Sequence, residues 1–516
     1  MSISSKRAVL SASAVSLVVS LSAGGSATAA SNTPYRHVLL VSVDGLHGID
    51  LSNILASAKG FPTLKLLGQH AVVYPNAFTS APSDSFPGMV GQVTGGTPYS
   101  AGVFYDDSYD RTLYAPGSGC KGLPGTETNF AENIDYNSSL INAGGTLGQP
   151  LTQIDPKKLP MRLENGVCAP VYPHQFLRVN TMFEVIRAHG GYTAWADKHP
   201  AYDILNGPSG KGIIDLYTPE IDSDFVGGKP GESHTASYAA TRQNDEMKVR
   251  AVLNEIDGRT ANGNNAAPVP EIFGMNFQAV SVGQKLASSG PTDPAGLVGG
   301  YADANGTPNN ALLAQAEYVD DALGRIVAHL RSRGLLDSTL LIVSAKHGQS
   351  PIDPSTRRTI DDTPFTLTPG YGFHIADDEA MIWLAPATRA KNLAGAGSYL
   401  TKNAQALGTE YLLDRNALKD VYRDPAVDAR TPDFIDVSKH GVIYTTGTKL
   451  AEHGGFSFDD RNVALLVAGT RIAPSVDIAS VQTTQIAPTI LTALGLDPND
   501  LQAVRIEHTA VLPGLK

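Results

Sequence analysis

An α/β fold with a mostly parallel central sheet, flanked by helices on both faces, is the architecture this sequence predicts. Three observations lead to it. Short apolar runs rich in Val, Ile and Leu stop abruptly at polar residues, as strands buried on both faces do. These runs alternate with amphipathic stretches of helical length, the pattern of a sheet covered by crossover helices. The chain has 516 residues, 42% of them hydrophobic, enough for a large core in one domain with insertions or in two to three smaller domains.

The elements follow in order along residues 31–516. From Arg36 the chain reads RHVLLVSVDGLHG, a strand whose carboxyl end carries Asp44 and Gly45. A helix is expected over 62–70, a short strand over 72–75 and a helix over 88–94. Residues 98–175, rich in Gly, Pro, Tyr and Asp, read as an irregular insertion. A helix over 181–189, a strand over 192–196, a helix over 235–256 and a strand over 271–278 continue the alternation. A long helix over 310–333 carries Leu312, Leu313, Ala316, Val319 and Leu323 on one side. It leads to a strand over 338–344. Residues 354–449 break the alternation and read as a cap-like insertion. A strand over 462–467 and a final helix over 483–494 close the domain.

The first 30 residues read as a targeting segment. Lys6 and Arg7 provide a positive start, residues 8–21 are apolar, and Ala27-Thr28-Ala29-Ala30 offers a small-residue cleavage site. This is the pattern of a secretory signal cut near Ala29 or Ala30, which predicts a secreted or periplasmic protein. A membrane anchor is the alternative, but the run falls short of the ~20 apolar residues of a spanning helix, and no later stretch is long enough to span. Cys120 and Cys168 are the only cysteines. In an exported chain they read as one disulfide stapling the 98–175 segment, rather than as two free thiols.

Lys+Arg number 39 against 50 Asp+Glu, a net charge of -11. An acidic body argues against binding a nucleic-acid duplex, which needs a basic face. A small anionic ester remains compatible, because a local cationic pocket can sit within an acidic protein.

In sheets of this kind the chemistry gathers beyond the carboxyl ends of the strands, and four segments place polar groups there. Asp44 ends the first strand. It is either a loop acid or a group that must be paired or ligating to be tolerated at that depth. Ser85 lies in APSDSFPGMVGQVTGG at a helix start, where free N–H groups suit phosphate or sulfate; taken alone it reads first as an ordinary N-cap. Ser344-Ala345-Lys346-His347-Gly348 ends another strand. Glu452-His453-Gly454-Gly455 precedes the last one.

The order of these segments carries a resemblance. A strand followed by Asp-Gly, then Ser-Phe-Pro, then Ser-x-x-His-Gly, then His-Gly-Gly ahead of Asn-Val-Ala-Leu is similar to the alkaline phosphatase superfamily. The type I phosphodiesterase/nucleotide pyrophosphatase family is its nearest branch. The closing TTQIAPTILTALGLDP of 483–498 resembles that superfamily's last helix, so the likeness spans about 36–498. It implies an alkaline-phosphatase-like fold and a hydrolase of phosphate monoesters or diesters. It also implies a pair of divalent metal ions, usually zinc, beside a nucleophile that forms a covalent phosphoryl-enzyme. Carried over, Ser85 is the nucleophile, Asp44 and His347 share the first metal with it, and His453 binds the second.

The departures are as informative. Lys346 stands where the family has an aspartate ligand. The middle Asp-x-x-Gly-His segment reads Gln278 to Gln284 here, with Gln284 in the histidine place and Val280 or Gln278 in the aspartate place. Gly88 replaces the Asn that often follows Phe-Pro. A protonated lysine cannot ligate a metal. Gln278 and Gln284 offer neutral oxygens that suit one harder cation, such as calcium, better than zinc. Two readings follow. Lys346 replaces a metal's charge, by pairing with Asp44, depressing the Ser85 pKa or clamping an oxyanion. Alternatively the scaffold only binds a ligand. Sulfatases, in the same superfamily, similarly combine one metal with lysines, so sulfatase-like or phosphonate hydrolysis is a further reading, although their Cys-x-Pro-x-Arg signal is absent around Ser85. Asp197, Lys198 and His199 follow a strand, which puts all three at the active edge, with Lys198 as a substrate-binding cation together with Gly88; a surface loop is the alternative. Asp106, Asp107 and Asp110 read as a solvated acidic turn rather than a calcium loop.

Overall fold

The structure is a computed structural model that describes residues 34–130 and 134–515. The predicted signal segment lies outside the described residues. Among the described residues no helix is long and apolar enough to cross a membrane.

The central sheet is built from β1 (His37–Val43), β2 (Ala71–Val73), β3 (Ala194–Ala196), β4 (Asp215–Tyr217), β5 (Ile272–Phe277) and β6 (Thr339–Ser344). A second sheet follows in the chain, from β7 (Tyr371–Ala376), β8 (Glu379–Leu384), β9 (Thr409–Leu413) and β10 (Phe434–Ser438). The chain then returns to the first sheet with β11 (Leu465–Ala468) and β12 (Ser475–Val476). The first sheet has the order β12-β2-β11-β6-β1-β5-β3-β4. β6, β1, β5, β3 and β4 run parallel; β11 is antiparallel to both β6 and β2.

Alternation with period two explains the layers. Val38 and Leu40 face one core with Met89, Val90, Ile486 and Ile490. Leu39, Val41 and Val43 face the other with Val249, Val252, Leu323 and Ile326. Helices therefore cover both faces, as the sequence predicts. Leu313, read as part of the buried stripe, is 37% exposed; the helix turns it away from the sheet.

Register sets the functional edge. Ser42 pairs with Asn276 on one side and Ser344 on the other. Two residues further on, Asp44, Gln278 and Lys346 therefore leave the sheet at one level. Met275 pairs with Ala196, which brings Asp197 and Lys198 to the same rim.

Three local expectations are corrected. The helix after Asp84 begins at Ser85, not 88, and runs to Thr94. Asp84 caps it, accepting from Phe86 N at 3.0 Å, and Pro87 is tolerated because the first turn has no use for its N–H. The 98–175 segment is not irregular throughout. It holds two antiparallel pairs, Asp107–Asp110 with Thr126–Asn129 and Met161–Glu164 with Val167–Pro170, and the Cys120–Cys168 disulfide is present. Asp107 and Asp110 thus lie in a strand rather than a solvated turn; Asp110 is buried and accepts from Arg430 Nε at 2.9 Å. Finally, 483–494 is a 3-10 turn plus the Ile486–Ala493 helix, and a further helix, Gln502–Glu507, follows it.

Residues 354–449 contain the antiparallel second sheet, ordered β7-β8-β10-β9. Its Ile382, Leu384 and Phe434 pack on Ala396 and Leu400 of the Arg389–Leu407 helix. Met381, Trp383 and Ile435, on the other face, pack on Phe104, Tyr105 and Tyr109.

Asp436, buried on β10, accepts from Thr409 Oγ1 at 2.9 Å, and burial pushes its carboxyl up to about 7. The folded chain then keeps a proton that the unfolded chain loses near pH 4, so this group lowers stability as pH rises from about 4 to about 7. Asp436→Asn is expected to gain stability relative to wild type between pH 4 and pH 8, by on the order of 4 kcal/mol. Thermal unfolding at the two pH values measures this, and a pH-independent difference would refute the buried neutral acid.

Candidate active site

Asp44, Ser85, Lys346, His347 and His453 come from four distant stretches and meet at one place. Asp44 is fully buried. Its Oδ1 accepts from Asn276 Nδ2 at 2.5 Å. Its Oδ2 faces two ammonium groups, Lys346 Nζ at 3.2 Å and Lys198 Nζ at 3.6 Å, with His347 Nε2 at 3.8 Å. Lys346 is also fully buried. Its Nζ donates to Tyr202 Oη, lies 4.6 Å above the Tyr202 ring and is 4.0 Å from Asp197 Oδ1. Burial pulls its pKa below the usual lysine range, against the opposing pull of Asp44 and Asp197.

Ser85 Oγ lies 3.3 Å from His347 Nε2. The other ring nitrogen, Nδ1, is 2.9 Å from the Gly348 carbonyl. Burial, then His453 and Lys346, hold His347 well below the ordinary histidine range. The His453 ring lies 4.1 Å from that of His347, centroid to centroid, and its Nδ1 is 3.3 Å from Asp84 Oδ1. Asp84, although buried, is held below the usual carboxylate range by His453 and the helix N–H groups. Lys198 and His453, each 12% exposed at the side chain, are the members of this cluster nearest solvent.

Other sequence-predicted residues play different parts. Gly88 provides room rather than a ligand contact: a Cβ there would lie 1.9 Å from the Lys346 carbonyl oxygen. It lets the Ser85–Thr94 helix press onto the segment just past β6 that carries Lys346. Gln284 is tied off. Its Nε2 donates to Gly45 O at 2.7 Å and Tyr301 Oη at 2.8 Å, and its Oε1 accepts from Gln349 Nε2 at 2.5 Å. Gln278 Oε1 accepts from Lys198 Nζ at 3.2 Å. Neither glutamine oxygen is free for a cation, and Val280 is buried in the core. His199 turns away to Glu220, 2.7 Å from its Nδ1. Asp197 reaches the rim as the sequence predicts, whereas sequence reasoning missed Asp84, Tyr202 and Asn276. Asp84 carried a signal, an acid just before a helix start; the others are visible only through strand register and the 3-10 helix Pro200–Asn206.

A zinc pair does not fit this residue set. Two ammonium groups flank the Asp44 oxygen, and a protonated lysine repels rather than ligates a cation. Among the described residues no group of three His, Cys, Asp or Glu side chains could hold a metal ion.

The fold and the ordered site define a hydrolase scaffold of the alkaline phosphatase superfamily. The chain belongs to the type I phosphodiesterase / nucleotide pyrophosphatase family, whose model matches residues 38–140 and 229–458. Membership makes it a phosphoesterase-type hydrolase from a superfamily of metal-dependent enzymes. No curated protein matches it by sequence. Solved structures that share the fold include the following three. Murine ectonucleotide pyrophosphatase / phosphodiesterase 5 is 14% identical, with 90% of this chain and 96% of that chain covered at a TM-score of 0.56. Wild-type alkaline phosphatase PafA is 13% identical, with the same coverage and a TM-score of 0.59. Phosphonoacetate hydrolase from Sinorhizobium meliloti, in complex with phosphonoformate, is 16% identical, with 89% and 96% covered at 0.51.

Proposed function

We propose that this chain is an exported hydrolase of phosphate monoesters or diesters in which Ser85 is the nucleophile and lysines supply the positive charge near phosphorus. The observation that carries the reading is Ser85 Oγ at 3.3 Å from His347 Nε2, beside an Asp44 carboxylate flanked by Lys346 and Lys198. The substrate anion enters past Lys198 and His453. Ser85 Oγ attacks phosphorus, the ester oxygen leaves, and water then releases the phosphoryl group from the serine. Lys346 opposes the negative charge that develops on the phosphoryl oxygens in a site sheltered from water, where such charge pairing is strongest. Small phosphate and phosphonate ligands of structural neighbours support the class: an inactive form of the murine enzyme was crystallised with AMP, and the Sinorhizobium enzyme with phosphonoformate.

One observation favours a second reading, an anion-binding protein without turnover: Ser85 is only 2% exposed. A panel of aryl phosphate, phosphodiester, phosphonate and sulfate esters separates the two, assayed with zinc, manganese, calcium and chelator. Turnover of a phosphate ester is expected. Binding without turnover of any ester would make the chain a binder. Turnover confined to sulfate or phosphonate esters would move it to those branches.

A further inference from the structure

We infer that His347 is the proton acceptor for Ser85, so that the nucleophile is activated by a side chain instead of a metal ion. The inference rests on Ser85 being the nucleophile proposed above. The argument starts at the far side of the ring. A carbonyl oxygen only accepts hydrogen bonds, so the 2.9 Å contact with Gly348 O places the imidazole proton on Nδ1. The lone pair is then on Nε2, the atom 3.3 Å from Ser85 Oγ. The orienting carbonyl is itself fixed. Gly348 N donates to Asp460 O at 2.7 Å, and a Cβ at Gly348 would lie 2.2 Å from Asp459 O, so the backbone there is packed tightly. The His453 ring, tilted by 35° with its centroid 4.1 Å away, packs against the imidazole and limits its rotation.

The surroundings complete the exchange of a metal for a base. A metal binding both Ser85 Oγ and His347 Nε2 would occupy the very lone pair that faces the serine. It would also share Asp44 Oδ2 with the Lys346 ammonium 3.2 Å away. With Lys346 there, the ring is left to act on the hydroxyl directly. Asp44 Oδ2, 3.8 Å from Nε2, is the carboxylate that faces the imidazolium once it forms, against burial and the opposing charges of His453 and Lys346. In the first step the Ser85 Oγ–P bond forms and the P–O bond to the leaving group breaks, while the hydroxyl proton moves to Nε2 and on to solvent, and the departing oxygen, in line on the far side of phosphorus, takes a proton from water. In the second, a water gives its proton to Nε2, its oxygen bonds to phosphorus, and Ser85 Oγ departs and recovers the proton.

An alkyl fluorophosphonate tests this in the full chain, because it labels an activated serine and releases fluoride. Labelling of Ser85, followed by mass spectrometry, is expected to proceed undiminished after exhaustive chelation. His347→Gln should slow it by about 100-fold or more. Wild-type labelling should also be slower in heavy water, a readout that stands if the variant fails to fold. Labelling that disappears with chelator and returns with zinc would overturn the assignment, as would wild-type labelling by a folded His347→Gln chain or an unchanged rate in heavy water. The two readings fail separately. Phosphate-ester turnover that requires zinc sinks the base and keeps the hydrolase. Chelator-resistant labelling without turnover of any phosphate ester does the reverse.

Discussion

Ser85→Ala is expected to lower turnover of any phosphate-ester substrate by about 10³-fold or more, since it removes the oxygen proposed to attack phosphorus. The fold should tolerate it. Ser85 opens a helix already capped by Asp84 through Phe86 N, and alanine is a good helix former. The side chain makes one hydrogen bond of 3.3 Å, to His347, so the stability change should stay within about 1 kcal/mol. Paired turnover and thermal-unfolding measurements separate the two effects. A folded Ser85→Ala chain that retains its rate would remove the nucleophile from the mechanism. A chain that loses rate and stability together would leave the serine's role structural.

Lys346→Asp should produce the second large effect, in the opposite sense for metal. Without metal, the variant puts a second carboxylate beside buried Asp44 and deletes its nearest cation. Breaking a buried pair in this way costs about 3–5 kcal/mol, and the added like charge raises that cost. With metal, the four groups Asp44, Ser85, His347 and a carboxylate at 346 become a zinc site of the kind the family resemblance describes. Zinc should therefore raise the variant's melting temperature steeply and leave that of the wild type little changed, because a ligand that binds only the folded state stabilises it by mass action. Metal analysis of the purified chains gives the independent readout. A variant that binds no more zinc than wild type would show that Lys346 does not stand in a metal's place.

Both predictions turn on residues legible in the sequence, and the reason is local. Asp44, Lys346 and His347 directly follow apolar β-branched runs, so strand ends could be read from composition alone, and with them the rim at which chemistry gathers. Ser85 was legible for a related reason, lying between a turn-forming stretch and a helix. The helix start itself was placed three residues late, because Pro87 looks like a helix boundary when it is in fact accommodated in the first turn. The glutamines show the limit of motif reading. Gln278 and Gln284 occupy the positions of a ligand segment, yet Lys198 takes the oxygen of one and Gln349 that of the other. No spacing rule reports which neighbour claims an amide.

The sequence alone therefore determined the layered α/β architecture, the family and the order in which the reactive segments enter the site. Each of these depends on residues adjacent in the chain or on the period of their hydrophobicity. Only the tertiary structure decided the charge state of the centre. Strand register brings Asp44, Gln278 and Lys346 level, the neighbouring strand adds Asp197 and Lys198, and Tyr202 and Asn276 close the shell. Coulomb forces act through space between groups hundreds of residues apart, so whether Asp44 faces a metal or an ammonium is settled by packing and not by any pattern along the chain.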